Sequence, residues 1–123
     1  GKALELATEN HDTDKSYISS LKKYMHDQLL KTIPGISFNG DVWGESLYTV
    51  LSVSFPKSEK SEMLLFNLDI NNICASGGSA CASGVEGGSH VIRNINSNPN
   101  QVTVRFSFSK NNNARSAPLT LVP

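Results

Sequence analysis

Apolar residues recur at three- and four-residue steps through Ile18, Leu21, Met25, Leu29 and Ile33, a spacing that predicts an amphipathic helix with one buried face. Lys15, Lys22, Asp27 and Lys31 are expected on its outer side, and Pro34-Gly35 stops it. Residues 1–8 read as a separate helical piece carrying Leu4 and Leu6-Ala7. The polar run Asn10 to Asp14 then offers Asp12 or Asp14 as a cap for the longer helix, since a carboxylate there meets the positive end of the helix dipole. Ile36-Ser37-Phe38 predicts a short strand ended by the turn signal Asn39-Gly40-Asp41. From Leu47 to Phe55 the pattern alternates as a strand. Leu47, Thr49, Leu51, Val53 and Phe55 share one face; Tyr48, Val50, Ser52 and Ser54 share the other, and Pro56 closes the strand.

Ser58 is a good helix cap, with Glu59 and Glu62 in the first turn and Met63, Leu64, Phe66 and Leu68 as apolar surface. This second helix is expected to reach about Asp69, with Asn71-Asn72 turning the chain. Ile73-Cys74-Ala75 reads as the end of a buried strand. Ser89 would cap a short helix from His90 to Asn96, and Asn98-Pro99-Asn100 turns again. Val102, Val104, Phe106 and Phe108 then face a core while Thr103, Arg105 and Ser107 face away. This order of elements predicts an α+β fold, a small and mostly antiparallel sheet with helices packed on one face.

Composition narrows the function. The 123 residues make one domain at most, and 11 basic residues balance 11 acidic ones. That balance removes the electrostatic footprint of a nucleic-acid or anionic-membrane binder. No apolar run is long enough for a membrane span, and the first residues lack a signal-peptide core. Two cysteines suggest no disulfide framework, so a reducing, cytoplasmic compartment is expected. The chain opens without an initiator Met inside a helical pattern, which suggests a piece of a longer protein.

Candidate chemistry concentrates in Ala75-Ser76-Gly77-Gly78-Ser79-Ala80-Cys81-Ala82-Ser83-Gly84. Its glycines allow backbone angles closed to other residues, and its serines favour turns. Cys81 therefore belongs on a pliant loop, where a thiolate nucleophile has room to move; the competing reading is an inert small hydrophobe. Arg105, mid-strand on the polar face, can grip a carboxylate bidentately or can serve as an ordinary surface ion-pair partner. His90 at a helix start reads as structural. Cys74, seven residues before Cys81, makes neither a C-x-x-C nor a zinc spacing, so no metal is expected. The loop also lacks the Gly-Lys-Ser/Thr ending of a phosphate loop.

Ser76-Gly77-Gly78-Ser79-Ala80-Cys81-Ala82-Ser83-Gly84, then Ser89-His90-Val91-Ile92, then Val104-Arg105-Phe106-Ser107-Phe108, resembles the C-terminal part of the cysteine desulfurases, NifS/IscS-like members of the class V aminotransferases. The resemblance runs from about Gly1 to about Asn113. It implies the small C-terminal domain of a fold-type I pyridoxal phosphate enzyme over residues 1–113. It implies that Cys81 attacks the sulfur of L-cysteine, keeping it as a persulfide and releasing alanine, and that Arg105 binds the substrate carboxylate. It further implies a homodimeric parent that hands sulfur to an iron–sulfur scaffold or similar acceptor. The larger domain with the Schiff-base lysine and most cofactor contacts has no match here, so no cofactor-binding residue is assigned and the isolated piece is expected to be inactive.

Two departures stand out. The family's motif normally ends in Gly where Ser109 stands, which puts the backbone after Phe108 in question. Residues 114–123 lack the family's acidic C-terminal helix and end in Leu121-Val122-Pro123, the start of a common thrombin-cleavage linker, and they read as a vector-derived tail. Outside the resemblance, two other functions remain open: a cofactor-independent sulfur relay that uses Cys81 only as a carrier, and a plain scaffold.

Overall fold

The structure, a computed structural model, describes residues 1–78, 90–95, 98 and 100–114. Helix α1, Lys2–Thr32, lies against a three-stranded antiparallel sheet of order β1-β2-β3. The strands are β1 (Ser37–Phe38), β2 (Val50–Pro56) and β3 (Gln101–Ser107). Between β2 and β3 come α2 (Glu59–Glu62), α3 (Leu64–Ile70) and α4 (His90–Ile95). This is the expected α+β arrangement, with the core on one side of the sheet.

The helix spacing and the strand alternation meet in that core. Met25, Leu29 and Ile33 from α1 and its end pack with Leu51, Val53 and Phe55 of β2, Val104 and Phe106 of β3, and Leu68 of α3. Val53, Val104 and Leu68 are fully enclosed. The register pairs Leu51 with Phe106, Val53 with Val104 and Phe55 with Val102, so both strands present their apolar positions to the same side.

The expected break near Asn10–Asp14 is absent, and neither Asp12 nor Asp14 caps a helix. Helix α1 is continuous and about 46 Å long, from 31 residues at 1.5 Å each. No Gly or Pro interrupts that stretch, and its polar side chains bond back along the helix instead of stopping it. Thr8 Oγ1 donates to the Leu4 carbonyl at 2.9 Å and Asn10 Nδ2 to the Leu6 carbonyl at 2.8 Å. Residues 1–13 are exposed all round, and burial begins in earnest at Ile18. The junction is held by polar contacts: Tyr17 donates to the Asn112 carbonyl at 2.8 Å, and Lys110 lies 3.3 Å from Asp14.

Lys22 is the second correction, because it is buried at 4% exposure and not on the outer side. Strand β2 also begins at Val50, three residues later than the alternation suggests, and the two facts share a cause. The chain before Val50 is a loop, and the Lys22 ammonium sits beneath it, 3.3 Å from the Leu47 carbonyl and 3.5 Å from Ser46 Oγ. Leu47 is correspondingly exposed. Asp41 shapes the same loop by accepting from the backbone N–H groups of Trp43 and Gly44 at 3.2 and 2.8 Å.

The helix expected from Ser58 to Asp69 is two pieces. Ser58 and Ser61 form a reciprocal capping box, with Ser61 N–H to Ser58 Oγ at 3.2 Å and Ser58 N–H to Ser61 Oγ at 2.7 Å. Met63, at φ −100° and ψ 14°, ends α2 and opens α3 at a new angle. That turn sends Leu68 into the core and leaves Met63 and Phe66 exposed.

Two outcomes test this packing. Leu51→Ala, at 1% exposure, removes atoms from the centre of the cluster and is expected to cost about 2–4 kcal/mol in urea unfolding. Burial lowers the Lys22 pKa, and Asp41 opposes that shift only in part. Between the lowered value and the ordinary lysine value the unfolded chain binds more protons, so stability rises with pH across that window. Urea midpoints measured from about pH 8 to pH 11 should show this rise in the parent chain and lose it in Lys22→Met.

Candidate functional site

Residues directly opposite in an antiparallel ladder point to the same side of the sheet. With Leu51 and Val53 committed to the core, Ser52, Ser54, Thr103, Arg105 and Ser107 fall on the other face. Arg105 pairs with Ser52 on one side and, through an isolated bridge, with Ser76 on the other. The bridge is made by Arg105 N–H to the Ser76 carbonyl at 2.7 Å and Ser76 N–H to the Arg105 carbonyl at 3.1 Å. Beyond Ser52, the Asn39 N–H donates to the Ser52 carbonyl at 3.0 Å. The result is one transverse row, Asn39, Ser52, Arg105 and Ser76, with a single cation among hydroxyl and amide groups.

The row is tied together by side chains as well. Asn39 Nδ2 donates to Ser52 Oγ at 3.2 Å and to Ser54 Oγ at 2.8 Å. Ser54, fully buried, donates to Asn39 Oδ1 at 3.1 Å and shares a hydrogen bond with Thr103 Oγ1 at 3.1 Å. Arg105 itself is exposed, and among the described residues its guanidinium has no hydrogen-bond or ion-pair partner. The surface ion pair that the sequence left open for Arg105 is therefore not formed among those residues. An unpaired planar guanidinium on a polar, uncharged face is suited to a carboxylate or another small oxyanion.

Cys81 and its neighbours from Ser79 to Ser89 lie outside the described residues. The segment that leads to them is described as far as Gly78. Gly77 fits closely: a Cβ there would come within 2.6 Å of Leu65 Cδ1. Gly78 has φ +66°, the left-handed region that glycine adopts without strain. Cys74 corrects the sequence reading. It is exposed and lies in no strand; among the described residues of its segment, Ser76 alone pairs with β3. Ile73 and Ala75, its neighbours, are the residues that pack against the core.

Ser109 takes the place of a glycine without a positive φ. Its N–H and hydroxyl both reach Asn112 Oδ1, at 2.7 and 3.2 Å, so a side-chain-closed turn follows β3. Residues 115–123, most of the presumed tail, lie outside the described residues. Sequence reasoning singled out Arg105 but missed Ser52, Asn39 and Ser76 as its neighbours. The alternation had already put Ser52 on the polar face; what it lacked was the register.

Pyridoxal phosphate, which the resemblance implies, finds no bed in this row. The positions around Arg105 on the outer face carry no lysine amine to condense with an aldehyde and no aromatic ring to stack on a pyridine. The buried Lys22 is engaged with Ser46 and Leu47. Among the described residues no group of three His, Cys, Asp or Glu side chains could hold a metal, and no helix is long and apolar enough to cross a membrane.

Comparison with known proteins gives a consistent result. A family model described as aminotransferase class-V matches residues 1–116. A cysteine desulfurase of Trichormus azollae is 38% identical over 93 residues, which cover 76% of this chain and 23% of that protein. The cysteine desulfurase IscS of Clostridium botulinum (strain Hall) is 38% identical over 96 residues, covering 77% and 24%. The chain thus spans about a quarter of the length of the curated relatives it matches. The crystal structure of a NifS-like protein from Rickettsia africae ESF-5 superposes with a TM-score of 0.71 over 94% of this chain and 29% of that one, at 22% identity. That likeness establishes the fold.

Exposure of Cys74 has a direct check. In a Cys81→Ser background, Cys74 should react with Ellman's reagent in the native chain at the rate of an accessible thiol. A buried-strand cysteine would react only after unfolding.

Proposed function

The chain belongs to the class-V aminotransferase family, and from that premise we propose that it is the C-terminal portion of a cysteine desulfurase, supplying the sulfur-accepting thiol and the substrate-carboxylate grip. The observation that carries this reading is the Arg105 guanidinium, unpaired among the described residues and joined backbone to backbone with Ser76, the root of the segment leading to Cys81. Cys81 lies five Cα–Cα steps beyond Ser76, so chain connectivity limits the distance between their Cα atoms to about 18 Å. That span is short enough for the thiol to reach the grip. The relatives named cysteine desulfurase support the same assignment; the relay-module alternative has no such support.

In this reading Arg105 orients L-cysteine by its α-carboxylate, with the two planar groups matched edge to edge. The Cys81 thiolate attacks the substrate sulfur; a sulfur–sulfur bond forms and the substrate carbon–sulfur bond breaks. The balance is Cys81 thiol plus L-cysteine giving Cys81 persulfide plus L-alanine, and no outside oxidant is needed. When bound, pyridoxal phosphate would supply an electron sink that makes the carbon–sulfur bond labile. It would be held mainly by parts of the longer protein outside this segment, and the isolated chain would not turn over. The persulfide would pass to an acceptor such as an iron–sulfur scaffold, in a homodimeric parent working in a reducing, cytoplasmic compartment.

The test uses the full-length enzyme with pyridoxal phosphate and L-cysteine, following alanine, sulfide and the protein-bound persulfide by mass spectrometry. Cys81→Ser should abolish all three products while Cys74→Ser retains them. Arg105→Lys, which keeps the charge but loses the fork, should raise KM for L-cysteine by about tenfold or more. Full turnover by Cys81→Ser would overturn the assignment.

A further inference from the structure

We propose that Ser52, oriented by Asn39, is a second carboxylate-binding group beside Arg105. This rests on the desulfurase reading only for the identity of the carboxylate as that of an amino acid. The geometry comes from the register. Ser52 and Arg105 are directly opposed in the β2–β3 ladder, so their Cβ atoms are about 5 Å apart on the same face. A carboxylate has two oxygens and about four lone-pair sites, and a guanidinium fork uses only some of them. A hydroxyl one strand away is placed to use another.

The hydrogen-bond network leaves that hydroxyl a proton to donate. Ser52 Oγ accepts from Asn39 Nδ2 at 3.2 Å, and among the described residues its own proton has no acceptor. Asn39 is also anchored by a second hydroxyl. Its Nδ2 also donates to Ser54 Oγ at 2.8 Å, and its Oδ1 accepts from the same fully buried hydroxyl at 3.1 Å. With Asn39 donating to it, Ser52 Oγ keeps its own proton for a ligand on the face it shares with Arg105. Ser76, on the opposite flank, differs: its hydroxyl is directed at the Arg105 carbonyl, 3.5 Å away. The two serines beside Arg105 are therefore not equivalent, and the ligand-facing one is Ser52.

The experiment titrates L-alanine into the full-length enzyme loaded with pyridoxal phosphate, by calorimetry, beside steady-state turnover of L-cysteine. Ser52→Ala should weaken L-alanine binding about tenfold, the size of one hydrogen bond to a charged group, and raise KM for L-cysteine alike with little change in kcat. Ser52→Thr, which keeps the hydroxyl, should restore both, and Asn39→Ala should weaken binding in the same direction. L-Alanine affinity unchanged in Ser52→Ala, or a Ser52→Thr variant as weak as Ser52→Ala, would overturn the inference while leaving the desulfurase reading intact. Weakened L-alanine binding in an enzyme that does not turn over L-cysteine would leave the carboxylate row standing and sink the desulfurase reading. A wild-type enzyme that binds no L-alanine would sink both.

Discussion

Everything described above depends on the ladder between β2 and β3. Seven consecutive pairs, from Val50 with Ser107 to Pro56 with Gln101, lock the two strands together. Because the side-chain period of a strand is two, a slip of one residue would send Leu51, Val53 and Phe55 to the solvent face and bring Ser52 and Ser54 into the core. Burial of Val53 and Val104 at 0% exposure makes such a slip costly. The same constraint that secures the core therefore also sets Ser52 opposite Arg105 on the other face.

The rest of the chain is arranged around that two-sided sheet. Helix α1 and α3 cover one side with Met25, Leu29 and Leu68. The other side is mostly polar, and Asn39, Ser54 and Thr103 hydrogen-bond one another there around the buried Ser54 hydroxyl. Among the described residues the Arg105 guanidinium has no hydrogen-bond or ion-pair partner, which leaves it available to a ligand. The core and the site are opposite faces of one object, and a change in ladder register would disrupt both.

Two features of the fold extend beyond the ladder. The first turns of α1 stand clear of the sheet, fastened at their base by Tyr17 to Asn112 and Asp14 to Lys110. Lys22 places an ammonium under the loop between Asn39 and Val50, where the Leu47 carbonyl and Ser46 hydroxyl meet it. Burying an ammonium is unfavourable unless it is partnered, and here the partners are loop groups that the helix face brings within reach. Asp41 and Lys22 together hold the loop that precedes β2.

Most of the architecture was legible from periodicity. The α1 stripe from Ile18 to Ile33, the core-facing Leu51, Val53, Phe55, Val104 and Phe106, and the Ser58 cap all follow from local rules, because the same apolar spacing that writes the pattern is what burial rewards. Arg105 on a polar face was legible for the same reason. The unbroken α1 was misread because polar residues between helical turns look like a boundary until their hydrogen bonds back along the helix are seen. Cys74 was misread because a short apolar flank resembles a strand, whereas strand pairing needs a partner edge and only Ser76 has one. Lys22 was placed outside because its charge suggests solvent, and only the loop folded over it explains its burial. The sequence by itself thus determined which residues seek the core. Which polar residues stand beside Arg105 was decided by the register between strands nearly fifty residues apart, a long-range pairing that no local pattern encodes.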